Sequence, residues 1–381
     1  MTRKASAAVD KNAGGALRAD SEPPISGPSR RKVAPPLSRL ASLFLCSASL
    51  LLAAPRASAQ APAAPEPEDT PALPAEETAE PAAPDNTEAA PAEPAAGRPV
   101  SGWLEAQVQL SREGFSCGSI DGVRGLQTAT TLKAWQKNQG LKETGELDKA
   151  TLAHLLISAP ALTEYTFTVV DLATPRPVPT TWLEKSQVDS MRYGSALEMI
   201  AERFRANPKL IVKLNPSVKW EQILPGTVLS VPSAEPDLAG QKVSRIHVYL
   251  AEHILQAVDE TGRVILHCPV SIARNVEKRP VGELHVSVVA PDPNYTFDPV
   301  TFPEVPEAQE LGRKLIIPPG PNNPVGIAWI GLDRTGYGIH GTPDPEKVGR
   351  TESHGCFRLA NWDARTLLKF VWVGMPVMVE E

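Results

Sequence analysis

Aromatic side chains are scarce in this chain, 5% of 381 residues, while prolines number 39, so part of its length cannot be packed and its cores must be largely aliphatic. The 42% hydrophobic share is still enough for two or three ordinary domains. Positive charge is also lacking. The formal net charge is −6, which argues against nucleic acid as a partner. The apolar run Leu40 to Ala54 falls short of the roughly 20 residues a membrane-spanning helix needs. With Arg30, Arg31, Lys32 and Arg39 before it and Ala-Ser-Ala ending at Ala59 behind it, the run reads as a secretory signal peptide over residues 1–59. Its N-terminal basic portion is long, and an uncleaved anchor, the one route to a membrane, is the alternative.

Without residues 1–59 the chain carries 29 basic and 41 acidic residues, and much of that imbalance lies in 60–100. There Ala, Pro and Glu or Asp alternate and cannot bury enough apolar area to offset chain entropy, which predicts a disordered, self-repelling linker. Cysteine is nearly absent too. Of four, Cys46 leaves with the signal, so Cys117, Cys268 and Cys356 remain, an odd number that leaves at least one thiol free in an exported protein. Cys117 with Cys268 is a conceivable pair across two domains; two inert buried thiols is the preferred reading.

What the chain does have is punctuated. Over residues 101–158, Leu104 and Val108, then Leu132 and Trp135, recur at helical spacing, and Asp148 stands where it can cap a short helix containing Leu152, Leu155 and Leu156. A small all-helical domain follows. Its pattern Gly114-Phe115, Ile120-Asp121-Gly122, Gly125, Thr128, Trp135-Gln136, Gly140-Leu141, Thr144-Gly145 and Leu147-Asp148 resembles the peptidoglycan-binding domain found beside cell-wall hydrolases. Trp135 and the glycines are read as builders of the bundle rather than ligand contacts, and Asp121 with Asp148 lacks the alternating oxygens of a calcium loop.

Residues 163–233 carry Leu197, Ile200, Ala201 and Phe204 at i, i+3, i+4, i+7 spacing, a break at Asn207-Pro208, a second turn with Leu210, Ile211 and Leu214, and "PGTVLSVP" as a closing strand. This segment resembles a diverged LysM module of α+β type with an indistinct opening strand. The resemblance implies a glycan contact or a spacer.

From Lys242 to the end, "RIHVYL", "ILQAV", "RVILHCPVSI" and "ELHVSVV" are Val- and Ile-rich runs joined by turn residues such as Asp259-Glu260-Thr261-Gly262, which predicts a mainly antiparallel sheet or β-sandwich. One excursion, 291–326, is too long for a plain hairpin loop and marks a functional candidate. A helix is expected over 361–371, capped by Asn361, with Leu367, Leu368 and Val371 facing the sheet.

Chemistry concentrates at "IHGTPDPEKVGRTESHGCFRL" (339–359). A cysteine attacks as thiolate, so it needs a base to take its proton and donors for the oxyanion formed on a carbonyl. His354 and His340 are the candidate bases, and Arg358 offers a fork for a carboxylate. A zinc site from His340, Asp344, His354 and Cys356 matches no known ligand spacing. His340-Gly341 followed by Ser353-His354-Gly355-Cys356, a hydrophobe at Phe357, Arg358 and Leu359 closely resembles the signature of the L,D-transpeptidase (YkuD) catalytic domain. "KRPVGELHV" is similar to its Pro-x-Gly segment, with Val281 where threonine is usual, and "IPPGPNNPVGIAWIGL" and "GYGIHGTP" to its long-loop, Gram-negative branch.

That resemblance implies an enzyme of the periplasm or cell envelope, without cofactor or metal. It would cleave the meso-diaminopimelate–D-alanine bond of a peptidoglycan tetrapeptide, hold the acyl group on Cys356 and pass it to an amine. His340 would be the base, oriented by a backbone carbonyl at or near Gly341, and His354 with the amides of Gly355 and Cys356 would support the oxyanion. Arg358, Ser353 and Tyr337 would contact substrate, although for Tyr337 and Trp329 core packing is the stronger reading, and for Ser353 a hydroxyl bound to loop backbone is as good. His247, His253, His267 and His285 read as surface or satisfied core. The acceptor is left open among a second stem peptide, an outer-membrane protein and water, the last making an L,D-carboxypeptidase; a catalytically inactive wall-binding protein is a further alternative.

Overall fold

In a computed structural model the described residues are 97–301, 305–351 and 355–381. The signal-peptide reading and nearly all of the linker reading lie outside them. The linker expectation runs to residue 100, but Arg98–Pro99 pairs antiparallel with Leu156–Ile157, and the Arg98 guanidinium bonds both Glu105 carboxylate oxygens at 2.7 and 2.6 Å. Order therefore begins earlier than composition suggests, because a strand partner and an ion pair both reach back to it.

Three helices follow: α1 (Trp103–Arg112), α2 (Leu126–Asn138) and α3 (Lys149–His154). Asp148 caps α3 by accepting the Thr151 N–H at 2.9 Å, which satisfies one of the orphan donors of a helix start. Trp135 is buried, its Nε1–H donating to Glu113 at 2.6 Å, so it belongs to the core. Trp135→Ala is expected to cost about 3–5 kcal/mol of stability, read as a lower urea midpoint.

The next unit opens and closes on a strand, with two short helices, Val169–Ala173 and Trp182–Lys185, preceding its two longer ones. Its opening strand β1 (Leu162–Thr166) pairs antiparallel with β2 (Val228–Pro232), and between them lie α4 (Ala196–Arg203) and α5 (Pro208–Leu214). These two units share one hydrophobic core that includes Phe115, Trp135, Phe167, Ile200 and Ile211. Segments of this size are marginal singly, and pooling apolar surface in one core adds to the stability of both.

Among the described residues of 242–381, eight strands form one sheet: β3 (Arg245–Tyr249), β4 (Ile254–Val258), β5 (Val264–Pro269), β6 (Gly282–Pro291), β9 (Ala328–Leu332), β10 (Gly338–His340), β11 (Phe357–Arg358) and β12 (Pro376–Glu380). The order across it is β11-β10-β9-β6-β12-β3-β4-β5. Pairing is antiparallel except β10 with β11 and β12 with β3. Strand β6 is long enough to pair with β12 along its first half and β9 along its second, so it joins two half-sheets that face one core. The mainly β fold with one helix after the motif is as expected. The helix α6 (Asn361–Leu368) is shorter than the 361–371 reading, and Asn361 is its first residue rather than its cap; its side chain is engaged elsewhere.

The accessory units close the sheet's exposed edge. Phe115 forms a parallel bridge with His267 of β5, with Ser116 N–H to His267 O at 2.8 Å and His267 N–H to Gly114 O at 2.9 Å. A Cβ on Gly114 would meet the Ile265 carbonyl oxygen at 2.3 Å, and its φ is +85°, so only glycine permits this approach. In this register Cys117 sits in the accessory core and Cys268 in the catalytic core. Both are free and buried, burial pushing Cys117 up to about 12 and Cys268 well above its ordinary value. The excursion 291–326 contains β7 (Tyr295–Phe297) paired with β8 (Leu315–Ile317). Trp182 of the second unit stacks on Phe297 with ring centroids 4.1 Å apart, in a small separate core with Met191, Leu315 and Ile317 that ties the excursion to that unit.

Candidate active site

Strand alternation places the motif side chains before any contact is considered. Phe357 and Leu359 are buried in the catalytic core, so Cys356 and Arg358, one residue out of phase, take the other face. Parallel pairing sets Ile339 opposite Phe357 and His340 opposite Arg358, which brings His340 to that same face. The motif strand is held on both sides: Leu359 N–H donates to His340 O at 2.8 Å, and Ser271 exchanges backbone bonds with Arg358 at 2.9 and 3.0 Å.

His340 is buried, and its Nδ1 lies 2.6 Å from the Gly341 carbonyl oxygen. A carbonyl can only accept, so Nδ1 carries the proton and Nε2 is the basic atom. Burial lowers the imidazole to about 4, opposed by the Gly341 bond and reinforced by the Arg358 charge, so at neutral pH the ring is uncharged and able to accept a proton. Trp329, its cross-strand partner on β9, stacks on the ring at 5.8 Å and fixes its plane. Cys356 is half-buried, with Sγ donating to the Gly336 carbonyl at 3.5 Å. Burial raises its thiol above the ordinary value, with a Gly338 backbone bond and the Arg358 charge pulling the other way. The resting pair is therefore thiol and neutral imidazole.

The Arg358 Nε is buried without a hydrogen-bond partner among the described residues, an unspent donor on the site's face. Tyr337 is half-buried against the catalytic core beneath the Arg334 guanidinium, and a Cβ on Gly355 would lie 3.9 Å from its ring. Ser353 and His354 lie outside the described residues. Of the other described histidines, His154 bonds the Ala150 carbonyl, His247 bonds Glu380, His285 bonds Asp333, His267 is buried between Thr131 and Gln256, and His253 occupies a turn at φ +57°. Among the described residues no group of three metal-ligating side chains occurs, and Asp344 pairs with Lys347.

Sequence reasoning passed over Tyr295 and the reach of Asn361. Tyr295 is half-buried on β7, burial pushing it up to about 12 while the Arg358 charge pulls it back, so this end of the excursion lies within electrostatic reach of Arg358. Its only signal was membership of an over-long loop. Asn361 accepts the Thr342 N–H at 3.1 Å and the Ile327 N–H at 3.3 Å through Oδ1, and a Cβ on Gly341 would come within 2.2 Å of that oxygen. Gly341 thus allows the close approach that seats the His340 loop.

Residues 244–379 match the family model described as "L,D-transpeptidase catalytic domain", and residues 100–155 match "Putative peptidoglycan binding domain". The chain carries an L,D-transpeptidase catalytic domain. It is similar to the "Putative L,D-transpeptidase YkuD" of Bacillus licheniformis, 27% identical over 187 residues, covering 49% of this chain and 94% of that protein. The "Probable L,D-transpeptidase YbiS" of Escherichia coli K12 is 28% identical over 201 residues, covering 51% of this chain and 63% of the relative. A solved structure, "L,D-transpeptidase from Mycobacterium smegmatis", aligns at 21% identity with a TM-score of 0.29 over 41% of this chain and 64% of that one. The transpeptidase domain and the peptidoglycan-binding domain abut through the Phe115–His267 bridge.

Proposed function

We propose that the protein is an exported cell-wall L,D-transpeptidase that uses Cys356 as nucleophile. The observation that supports it most is the parallel register that sets His340 and Arg358 on the face of Cys356, with His340 Nδ1 committed to Gly341 O. Cys356 Sγ attacks the carbonyl joining the L-centre of meso-diaminopimelate to the terminal D-alanine. The S–C bond forms, the C–N bond breaks, and the thiol proton travels through His340 Nε2 to the departing amine. An amine then attacks the thioester, its proton returning to sulfur by the same imidazole. Arg358, with its unpartnered Nε, pairs with a substrate carboxylate, and Tyr337 contacts substrate beside it. His354 and the amides of Gly355 and Cys356 support the oxyanion, and Ser353 borders the substrate. Export through residues 1–59 places the enzyme in the periplasm or cell envelope. The helical domain, and the second unit with its LysM resemblance, contact the wall.

The test is incubation of the full chain with purified disaccharide-tetrapeptide, with and without a diaminopimelate-containing acceptor. Release of D-alanine that thiol alkylation abolishes and chelators leave untouched is expected. Cross-linked product identifies a transpeptidase, and tripeptide alone identifies the carboxypeptidase. A folded protein releasing no D-alanine rejects both.

A further inference from the structure

The carboxylate of Glu202 lies outside the catalytic domain, on α4 of the second unit, and is buried. Both its oxygens lie 3.1 Å from Asn361 Nδ2, and Oε1 also accepts the Tyr193 hydroxyl at 3.1 Å. Asn361 Nδ2 donates in addition to the Pro321 carbonyl of the long excursion at 3.1 Å. Every acceptor on one side of the amide is matched by donors on the other, where Oδ1 takes the N–H groups of Thr342 and Ile327. A flipped amide would point its two hydrogens at two backbone N–H groups. The two backbone N–H groups on one side and Glu202 with Pro321 on the other therefore hold the amide in one orientation, and Glu202 supplies most of the acceptors on its side. Thr342 directly follows Gly341, whose carbonyl fixes the His340 tautomer.

We infer that Glu202 is a positioning residue for the transferase reaction: by accepting from Asn361 it locks the amide that holds the Gly341–Thr342 loop, and so keeps the proton of His340 on Nδ1. The accessory unit is then part of the catalytic apparatus and not only a wall contact. This inference rests on the proposed role of His340. A misplaced base loses rate rather than affinity, because substrate contacts made by Arg358 are not touched.

The experiment uses the full chain with Glu202→Gln, which keeps an acceptor for Asn361, and Glu202→Leu, which removes it at similar volume. Two readouts are taken: carbapenem acylation kinetics of Cys356 by intact mass, split into apparent affinity and maximal rate, and 15N imidazole NMR of the His340 tautomer, assigned with His340→Gln. Glu202→Gln should stay within about twofold of the wild-type rate and Glu202→Leu should lose roughly tenfold to a hundredfold in maximal rate at unchanged affinity. Glu202→Leu should also show a mixed His340 tautomer where the wild type shows the Nδ1-protonated form. If Glu202→Leu does not fold, Glu202→Asp, which withdraws the carboxylate by one methylene, must show the same tautomer mixing. A folded Leu or Asp variant with wild-type tautomer and rate overturns the inference, as does a Gln variant as impaired as Leu. Absence of any wild-type adduct on Cys356 would reject the active-site reading instead, and the tautomer measurement still decides the role of Glu202.

Discussion

Cys356→Ala should leave tetrapeptide turnover undetectable, a loss of about four orders of magnitude or more, because the sulfur that holds the acyl chain is gone. Intact-mass analysis with a carbapenem gives the sharpest reading: the wild-type protein gains one drug mass and the variant gains none. The half-buried position of the side chain makes folding damage small, since alanine keeps the backbone and leaves the neighbouring Phe357 and Leu359 in the core. The other two described thiols cannot substitute. Cys117 and Cys268 are buried, and burial holds both as neutral thiols. A drug adduct surviving on the Cys356→Ala protein would refute the assignment of the nucleophile.

His340→Gln is the second large effect, expected to slow acylation by roughly 10²- to 10⁴-fold, the usual worth of a positioned general base. The pH profile separates this from simple damage. In the wild type the imidazole titrates at about 4, so the base is active above that value and lost as pH falls through it; acylation should be nearly flat from pH 5.5 to 8. The thiol is raised above its ordinary value, so little thiolate exists at neutral pH without help. In His340→Gln only that thiolate reacts, and the rate should climb about tenfold per pH unit over the same range. A variant with a flat profile would show that His340 does not take the proton, and would move attention to His354.

Local chemistry carried much of this far in advance. The Val- and Ile-rich runs became β3 to β6 because alternation and turn residues such as Asp259 act within a few positions; its Oδ1 accepts the N–H groups of Thr261 and Arg263 at 2.8 and 3.0 Å. Asp148 was readable as a cap for the same reason. Strand β1 was not, since "LTEYT" is short and half polar and is a strand only because Val228–Pro232 lies beside it. The position of Asn361 at the helix start suggests a cap, a role that falls to Ala360. The Asn361 amide instead serves Glu202, 159 residues earlier in the chain.

By itself the sequence determined the neighbourhood of Cys356, the order of the two matched domains and the alternation that turns Cys356 and Arg358 away from the core, because each depends on residues close together in the chain. Only the tertiary structure decided how His340 meets that face, that two small units pool one core, and that Glu202 reaches, through Asn361, the loop that follows His340. Those are contacts between segments far apart in sequence, chosen by burial and hydrogen-bond satisfaction at the packed interface, and no local pattern encodes a partner so distant.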